Sequence, residues 1–238
     1  MSTYARLDSK LQFRIDFRPT LKYFDQMFLV ASSLEGEYEH WKASNNPSEG
    51  LLFDQKSKRS VGISGQFMTF STKDDALFKE PFEQLSELIM LFLGQGDISE
   101  IARVSLRRSG LHTVNKTYDE FNDKFFETFY GSQKELKDIL ADKIDDVALT
   151  LNGIKDGFHN RNRYGPVKQD EIERWYGLEE YESSSDLTLN GKTGVLVDTE
   201  IYSLEEADID DTLRNIKEIV TVSAQMYNDS WELIKSHV

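Results

Sequence analysis

Two sets of side chains in this sequence have the types and the spacing to do chemistry. The first is arginine carried on strands. Arg14 and Arg18 alternate with Phe13, Ile15 and Phe17, and Arg103 and Arg107 alternate with Ala102, Val104 and Leu106 in a second strand-like segment. If the two segments are neighbours in a sheet, their polar sides bring Arg14, Arg18, Arg103 and Arg107 together. A planar guanidinium grips a carboxylate or phosphate through two parallel hydrogen bonds, so the chemistry expected there is anion binding. The ordinary reading of the same residues is cross-strand ion pairing with Asp16, Asp198 and Glu200, which also fall on polar strand positions.

The second set is a basic run, Lys155, His159, Arg161, Arg163 and Lys168, interleaved with Phe158 and Tyr164. Charge plus ring stacking is how single-stranded nucleic acid is held. The next stretch answers with Asp170, Glu171, Glu173, Glu179, Glu180, Glu182 and Asp186 around Trp175, Tyr176 and Tyr181. Together these read either as a self-pairing, solvated excursion or as a docking loop. In the docking reading Arg161, Arg163, Trp175, Tyr176 and Tyr181 meet another protein, because exposed Trp, Tyr and Arg dominate binding hot spots.

Other candidates are poorer. Glu205, Glu206, Asp208, Asp210 and Asp211 crowd a helix start, where carboxylates complement the dipole, and they lack the spacing and turn glycine of a calcium loop. His40, His112, His159 and His237 lie far apart in the chain. Only His112, at a strand end beside Arg108, is placed to act as a general base or as a hydrogen-bonded structural histidine. Nucleophile elbows, phosphate-binding loops and dinucleotide fingerprints are missing, and Gly94-Gln95-Gly96 follows a helix instead of a strand. No catalytic residue, metal ligand or cofactor is expected.

Composition narrows the classes further. The formal charge of −14 over 238 residues opposes non-specific attraction to nucleic acid or anionic membrane and fits a basic protein partner. The sequence contains no cysteine, which excludes disulfides, thiolate metal sites and cysteine nucleophiles. Residues Met1 to Leu11 form no apolar signal core, and the longest strongly apolar stretch, Leu88 to Leu93, is too short to cross a bilayer. Cytoplasmic residence is expected, with no membrane.

Stepping from side chains to elements, Leu11 to Phe17 alternates as a half-buried strand ended by Pro19. Phe24, Met27, Phe28, Ala31, Leu34, Tyr38 and Trp41 recur at three and four, predicting a helix from Leu21 to about Ala43. Leu51 to Asp54 and Val61 to Thr72 read as two strands, the apolar residues of the second changing face near Gly62 and Gly65 as a bulge or two-sided burial would make them. Pro81 opens a helix through Leu93, and Ile101 to His112 is the next strand. Thr117 and Glu120 have capping-box spacing for a helix ending at Gly131, and Ser132 and Glu135 repeat it for a helix carrying Leu136, Ile139 and Leu140. Asn152-Gly153 and Asn190-Gly191 are hairpin signals, residues 155–186 are an excursion from the sheet, and a long helix runs from about Ile209 to Ile234.

The segment Ile101-Ala102-Arg103-Val104-Ser105-Leu106-Arg107 after a helix, and Val195-Leu196-Val197-Asp198 before a long helix with late Tyr227 and Trp231, resemble an uncharacterised, sporadically distributed bacterial family of about the same length. That resemblance implies an α+β fold in bacteria and imports no catalytic residues.

The order strand, helix, two strands, helix, strand predicts a ferredoxin-like half over residues 1–115. A carboxyl-terminal α+β half, residues 116–238, extends it. The expected whole is one α+β unit with a largely antiparallel sheet and helices mainly on one face. The expected function is a non-enzymatic cytosolic binding protein, an acidic neutraliser of a basic protein such as a toxin or nuclease. The alternatives are an enzyme or sensor for a small anionic ligand held by the strand-borne arginines, and single-stranded nucleic-acid binding through residues 155–168.

Overall fold

The computed structural model describes residues 4–18, 21–43, 49–96, 98, 100–131, 145–177, 187–204 and 209–238. It is an α+β protein built on one antiparallel sheet. Two strands dominate it, β1 (Tyr4–Phe17) and β6 (Ile101–Val114). Their alternation buries Leu11, Phe13, Ile15, Val104 and Leu106 on one side and turns Gln12, Arg14, Arg103 and Arg107 to the other. The remaining strands are β2 (His40–Ala43), β3 (Glu49–Asp54), β4 (Arg59–Ser64), β5 (Phe67–Thr72), β7 (Leu149–Lys155), β8 (Phe158–Val167) and β9 (Thr193–Ser203). The strand order is β2-β3-β4-β5-β1-β6-β9-β8-β7.

Helices α1 (Leu21–Leu34), α3 (Phe82–Gly96), α4 (Tyr118–Tyr130) and the long α6 (Ile209–His237) share the main core with the apolar side of the sheet. Capping sets two of the helix starts. Thr117 and Glu120 form the reciprocal box that begins α4, and Asp74 accepts from the amides of Ala76 and Leu77 to begin the short α2 (Asp75–Lys79). On the opposite side of the sheet a smaller core gathers Leu111, Val167, Leu196, Leu187 and Leu189 with Ile172 and Tyr176, at the start and just beyond the end of α5 (Ile172–Trp175). That plug covers one end of the second face and leaves the rest open.

Several expectations change here. Four strands, not two, separate the first two main helices, and β1 pairs antiparallel with both β5 and β6. The order β4-β5-β1-β6, antiparallel throughout, is that of a ferredoxin-like unit, to which β2 and β3 are added at the edge. The helix predicted to Ala43 stops at Leu34, because Gly36 interrupts it at a cost of about 1 kcal/mol per helical glycine, and the chain turns so that Trp41 lies on β2 opposite Leu52. The change of face within residues 61–72 is a tight hairpin between Ser64 and Phe67, not a bulge, with Ile63 opposite Met68. Asn152-Gly153 lies inside β7; the turn falls at Asp156-Gly157 (φ 52° and 83°), an equally good type I′ pair. Residues 158–167, expected to leave the sheet, are strand β8, whose period is masked because buried Asn160 and Asn162 occupy inward positions and bond each other. Leu187 and Leu189 precede the Asn190-Gly191 turn without forming a strand. The helix predicted from Ser132 lies outside the described residues, as do Glu205, Glu206 and Asp208. Among the described residues no helix is long and apolar enough to cross a membrane.

Helix α6 rests on β6 at Gly110, where a Cβ would come within 1.7 Å of the Tyr227 hydroxyl and 2.8 Å of His112 Nε2. The ring of Tyr227 is buried and cannot withdraw. Gly110→Ala is expected to destabilise the fold by about 1–3 kcal/mol, the usual range for overpacking a tight core. Urea unfolding of the variant checks this, and a midpoint unchanged from the parent would show that α6 yields without cost.

Candidate functional site

The register of the central strands assembles most of the predicted arginine patch. Pairing of β1 with β6 sets Gln12 opposite Arg107, Arg14 opposite Ser105 and Asp16 opposite Arg103. Pairing of β6 with β9 sets Arg107 opposite Glu200 and Ser109 opposite Asp198. Pairing of β9 with β8 then sets Asp198 opposite Arg163 and Glu200 opposite Arg161. All of these residues lie on the face away from the main helices. Arg18 stands apart at the end of β1, exposed and paired with Glu100 at 3.1 Å.

Each of the four predicted patch arginines meets a carboxylate. Arg107 holds Asp198 with two bonds, Nε to Oδ1 at 2.7 Å and Nη2 to Oδ2 at 2.8 Å. Asp198 also accepts from Ser109 Oγ at 2.8 Å and from Arg163 Nη2 at 3.1 Å. Arg103 donates to Glu200 at 2.7 Å while its guanidinium lies 4.5 Å from the centre of the Tyr202 ring. Arg14 holds Asp16 at 2.5 Å and covers the Phe67 ring at 4.1 Å. Burial, which disfavours the charged form, is outweighed at Arg107 by the bond and charge of Asp198, so its pKa rises. At Arg163 burial wins over Asp198, with Arg107 and Arg161 adding repulsion, and its pKa falls.

Arg161 differs from its neighbours. It is exposed and makes no ion pair among the described residues. Across β6, β9 and β8 the open face thus presents Arg103, Arg107, Arg161 and Arg163 to only two carboxylates, Asp198 and Glu200. Beside that stripe lies a recess of about 350 Å³, walled by Gln12, Arg14, Ser60, Thr69, Ser71, Ser105, Arg107 and Glu200. Hydroxyl, amide and guanidinium groups make it a polar binding surface. A larger cleft of about 760 Å³, between the Lys168–Glu173 segment and the 188–193 turn, is lined by Lys168, Asp170 and Glu173 of the charged run but by none of the patch arginines or docking residues.

The predicted docking residues separate. Tyr176, expected to be exposed, is only 1% accessible. It is packed in the second core, with the ammonium groups of Lys10 and Lys73 5.3 and 5.0 Å from its ring centre. It is therefore a buried anchor of the plug, not a contact for a partner. Arg163 is engaged by Asp198 and by the carbonyl of Trp175 at 2.9 Å, and Trp175 is half-buried between the guanidiniums of Arg163 and Arg174. Of this group Arg161 is exposed and Trp175 keeps part of its surface; Tyr181 lies outside the described residues.

A polar seam lies beneath α6. Arg108, Gly110 and His112 share the core side of β6 with Leu106 and Val114, which the strand period alone would have revealed. Arg108 is 1% exposed, bonds Ser223 Oγ at 3.0 Å, and has no partner for Nη2 and no carboxylate at ion-pair distance among the described residues. Burial brings its pKa down to about 10. His112 bonds the Tyr227 hydroxyl at 2.9 Å and stacks on Trp231 with ring centres 3.6 Å apart. Among the described residues no carboxylate orients it, and its Nδ1 has no hydrogen-bond partner. Among the described residues no group of three or more His, Asp or Glu is arranged to hold a metal ion.

Burial, helped by Arg6 and Lys235, brings the His112 pKa down to about 3 from 6.5. The native protein keeps this ring neutral while the unfolded chain protonates it. Its contribution to stability is thus complete above pH 6.5 and is lost as pH falls towards 3. Between pH 7.5 and 5 the loss from this residue is about 2 kcal/mol. Unfolding free energies measured across that range should fall by this much more in the parent than in His112→Gln; parallel pH profiles would refute the assignment.

No protein-family model matches the chain, and no curated protein matches it. Among solved structures it is similar to Methanococcus jannaschii TBP, at 12% sequence identity over 93% of this chain and 98% of that one, with a TM-score of 0.31.

Proposed function

We propose that this chain is a non-enzymatic binding protein whose working surface is the open face of the sheet, and that its ligand carries an acidic group, phosphate or carboxylate. The observation that carries the reading is the excess of arginine over carboxylate on three adjacent strands, in a chain whose formal charge is −14. Carboxylates elsewhere outnumber cations, yet here Asp198 is shared by two guanidiniums and Arg161 has none among the described residues. The ion pairs themselves orient the arginines: Asp198 fixes the guanidinium plane of Arg107, which also lines the recess, and Glu200 holds Arg103. No side chain at the recess has the nucleophile-and-base geometry of covalent catalysis, so binding is the chemistry that this surface supports.

A second reading keeps the basic protein partner and moves it to the helical layer. What favours it is the exposed surface of α4 and α6, where Asp119, Glu120, Asp123, Glu127, Asp210, Glu218, Asp229 and Glu232 outnumber Lys124, Arg214 and Lys217. The two readings differ in the sign of the partner and the side of the sheet.

Isothermal titration with a panel of phosphorylated and carboxylated metabolites at low salt tests the first. A member of the panel is expected to bind, and Arg161→Ala, which breaks no ion pair, should weaken it about tenfold, or 1.4 kcal/mol. Silence across the panel would remove the reading. Binding of a cationic protein that depends on Asp229 and Glu232 instead would establish the second.

A further inference from the structure

The outermost strand of the carboxyl-terminal half offers a separate surface. The β7–β8 hairpin turns through Asp156 and Gly157, both at positive φ, in the two-residue form that makes Lys155 and Phe158 a hydrogen-bonded pair. Alternation along the antiparallel ladder gives Gly153 with Asn160 and Leu151 with Asn162 the same role. The amides and carbonyls of Thr150, Asn152 and Ile154 therefore point away from β8, along the free border of the sheet. β7 is last in the strand order, and every residue from Thr150 to Ile154 is exposed. Leu151 is 51% and Ile154 69% accessible.

Sheets normally guard such a border with proline, a bulge, an inward charge or a covering segment. β7 has no proline, pairs with β8 without a register shift, and carries a single charge, Lys155, at its end. The residues behind it add a sign. Arg161 stands directly across from Asn152 on the open face, exposed and without an ion pair among the described residues, and the carboxylate on its other side, Glu200, is already held by Arg103.

We infer that β7 is a strand-addition site for an extended, acidic segment of a protein partner, which extends the sheet antiparallel to β7. Strands lie about 4.8 Å apart, so a residue of the added strand opposite Asn152 sits about 10 Å from the Arg161 backbone on the same face. An arginine reaching over the short asparagine and a glutamate reaching back span that distance. On the same face Ile154 takes an apolar residue, and Leu151 takes another on the opposite face. The sequence that fits, read from its amino end, is apolar, any residue, acidic. A second copy of this chain does not fit, because β7 contains no carboxylate and no register of β7 on β7 answers Arg161.

The test uses the fluorescein-labelled peptide Thr-Ile-Val-Glu-Val-Thr-Thr and its lysine-for-glutamate control, titrated with the full chain by fluorescence anisotropy. The glutamate peptide is expected to bind about tenfold more tightly than the control. Asn152→Pro removes an outward amide but no bond to β8, and should cost at least about tenfold in affinity. Arg161→Glu should reverse the preference towards the lysine peptide. If Asn152→Pro fails to fold, Ile154→Lys, which charges the border and leaves the backbone intact, should cost a similar factor. Equal binding of the two peptides, no binding of either, or full affinity in the border variants would overturn the proposal. So would a dimer in sedimentation that Asn152→Pro dissolves, since that would make a second copy the occupant.

Discussion

The pairing of β1 with β6 is the constraint on which the remainder of the structure rests. These are the two longest strands, they occupy the middle of the sheet, and every other strand is reached through one of them. Their mutual register decides two surfaces at once. With Phe13 opposite Leu106 and Ile15 opposite Val104, the core side is continuous; with Gln12 opposite Arg107 and Asp16 opposite Arg103, so is the polar side. A slip of one residue would exchange the two, placing guanidinium under the helices and phenylalanine in water. The register shifts near Arg6 and Phe17 lie at the ends of the pair, where they bend the strands without touching the central pattern. Since 95 positions separate Gln12 from Arg107, this contact closes a long loop and is entropically expensive to form before its neighbours. The hairpins β3–β4, β4–β5 and β7–β8 are local and can form first.

Charge burial follows from that geometry in two different ways. On the open face, desolvation is met by pairing: Asp198, nearly inaccessible, receives Arg107, Arg163 and Ser109, so most of its lone pairs are used. Beneath α6, the Arg108 guanidinium meets the Ser223 hydroxyl and the ring of Phe78, with no carboxylate at ion-pair distance among the described residues. A buried guanidinium with one neutral partner is costly, since a lone hydroxyl returns little of the lost hydration. What it does supply is specificity of seating. Arg108 with Ser223, His112 with Tyr227 and Tyr164 with Ser230 at 2.7 Å place three polar pairs along α6. A helix rotated on its axis would break all of them, whereas purely apolar contacts would tolerate the rotation.

How much of this was legible depended on whether the residues facing the core were apolar. β1 and β6 were readable because Leu11, Phe13, Ile15, Val104 and Leu106 alternate with polar residues, and the neighbourhood of Arg14, Arg103 and Arg107 with Asp16, Asp198 and Glu200 followed from parity alone. β8 was not readable, because two of its inward positions are asparagines that bond each other and carry no hydrophobic signal. The short β2 was absorbed into a predicted helix, since Tyr38 and Trp41 continue the helical spacing of Ala31 and Leu34 by accident while Gly36 ends the helix. Tyr176 looked like a surface hot spot because its neighbours are charged; burial by a plug folded onto the far side of a sheet leaves no periodic trace. The two Leu-Thr-Leu-Asn-Gly segments occupy different settings, one inside β7 and one leading into the turn before β9, so an Asn-Gly pair marks a turn in the second and a strand interior in the first.

The net charge and the local surface argue in opposite directions, and distance decides between them. At physiological salt, exposed charges more than about 8 Å apart are largely screened from one another. The carboxylates spread over α4 and α6 therefore govern solubility and the approach of a partner from afar, but they lie across the thickness of the sheet from Arg161 and hardly act there. Within contact range the relevant sum is the one on β6, β9 and β8, and that sum is positive. The same screening applies at the border, where β7 brings no carboxylate of its own beside Lys155, His159 and Arg161. An acidic chain can in this way carry a cationic seam that meets an anion, provided that the sheet itself separates the two sets of charges. The β1–β6 register, by sending Arg14, Arg103 and Arg107 to one face, is what enforces that separation.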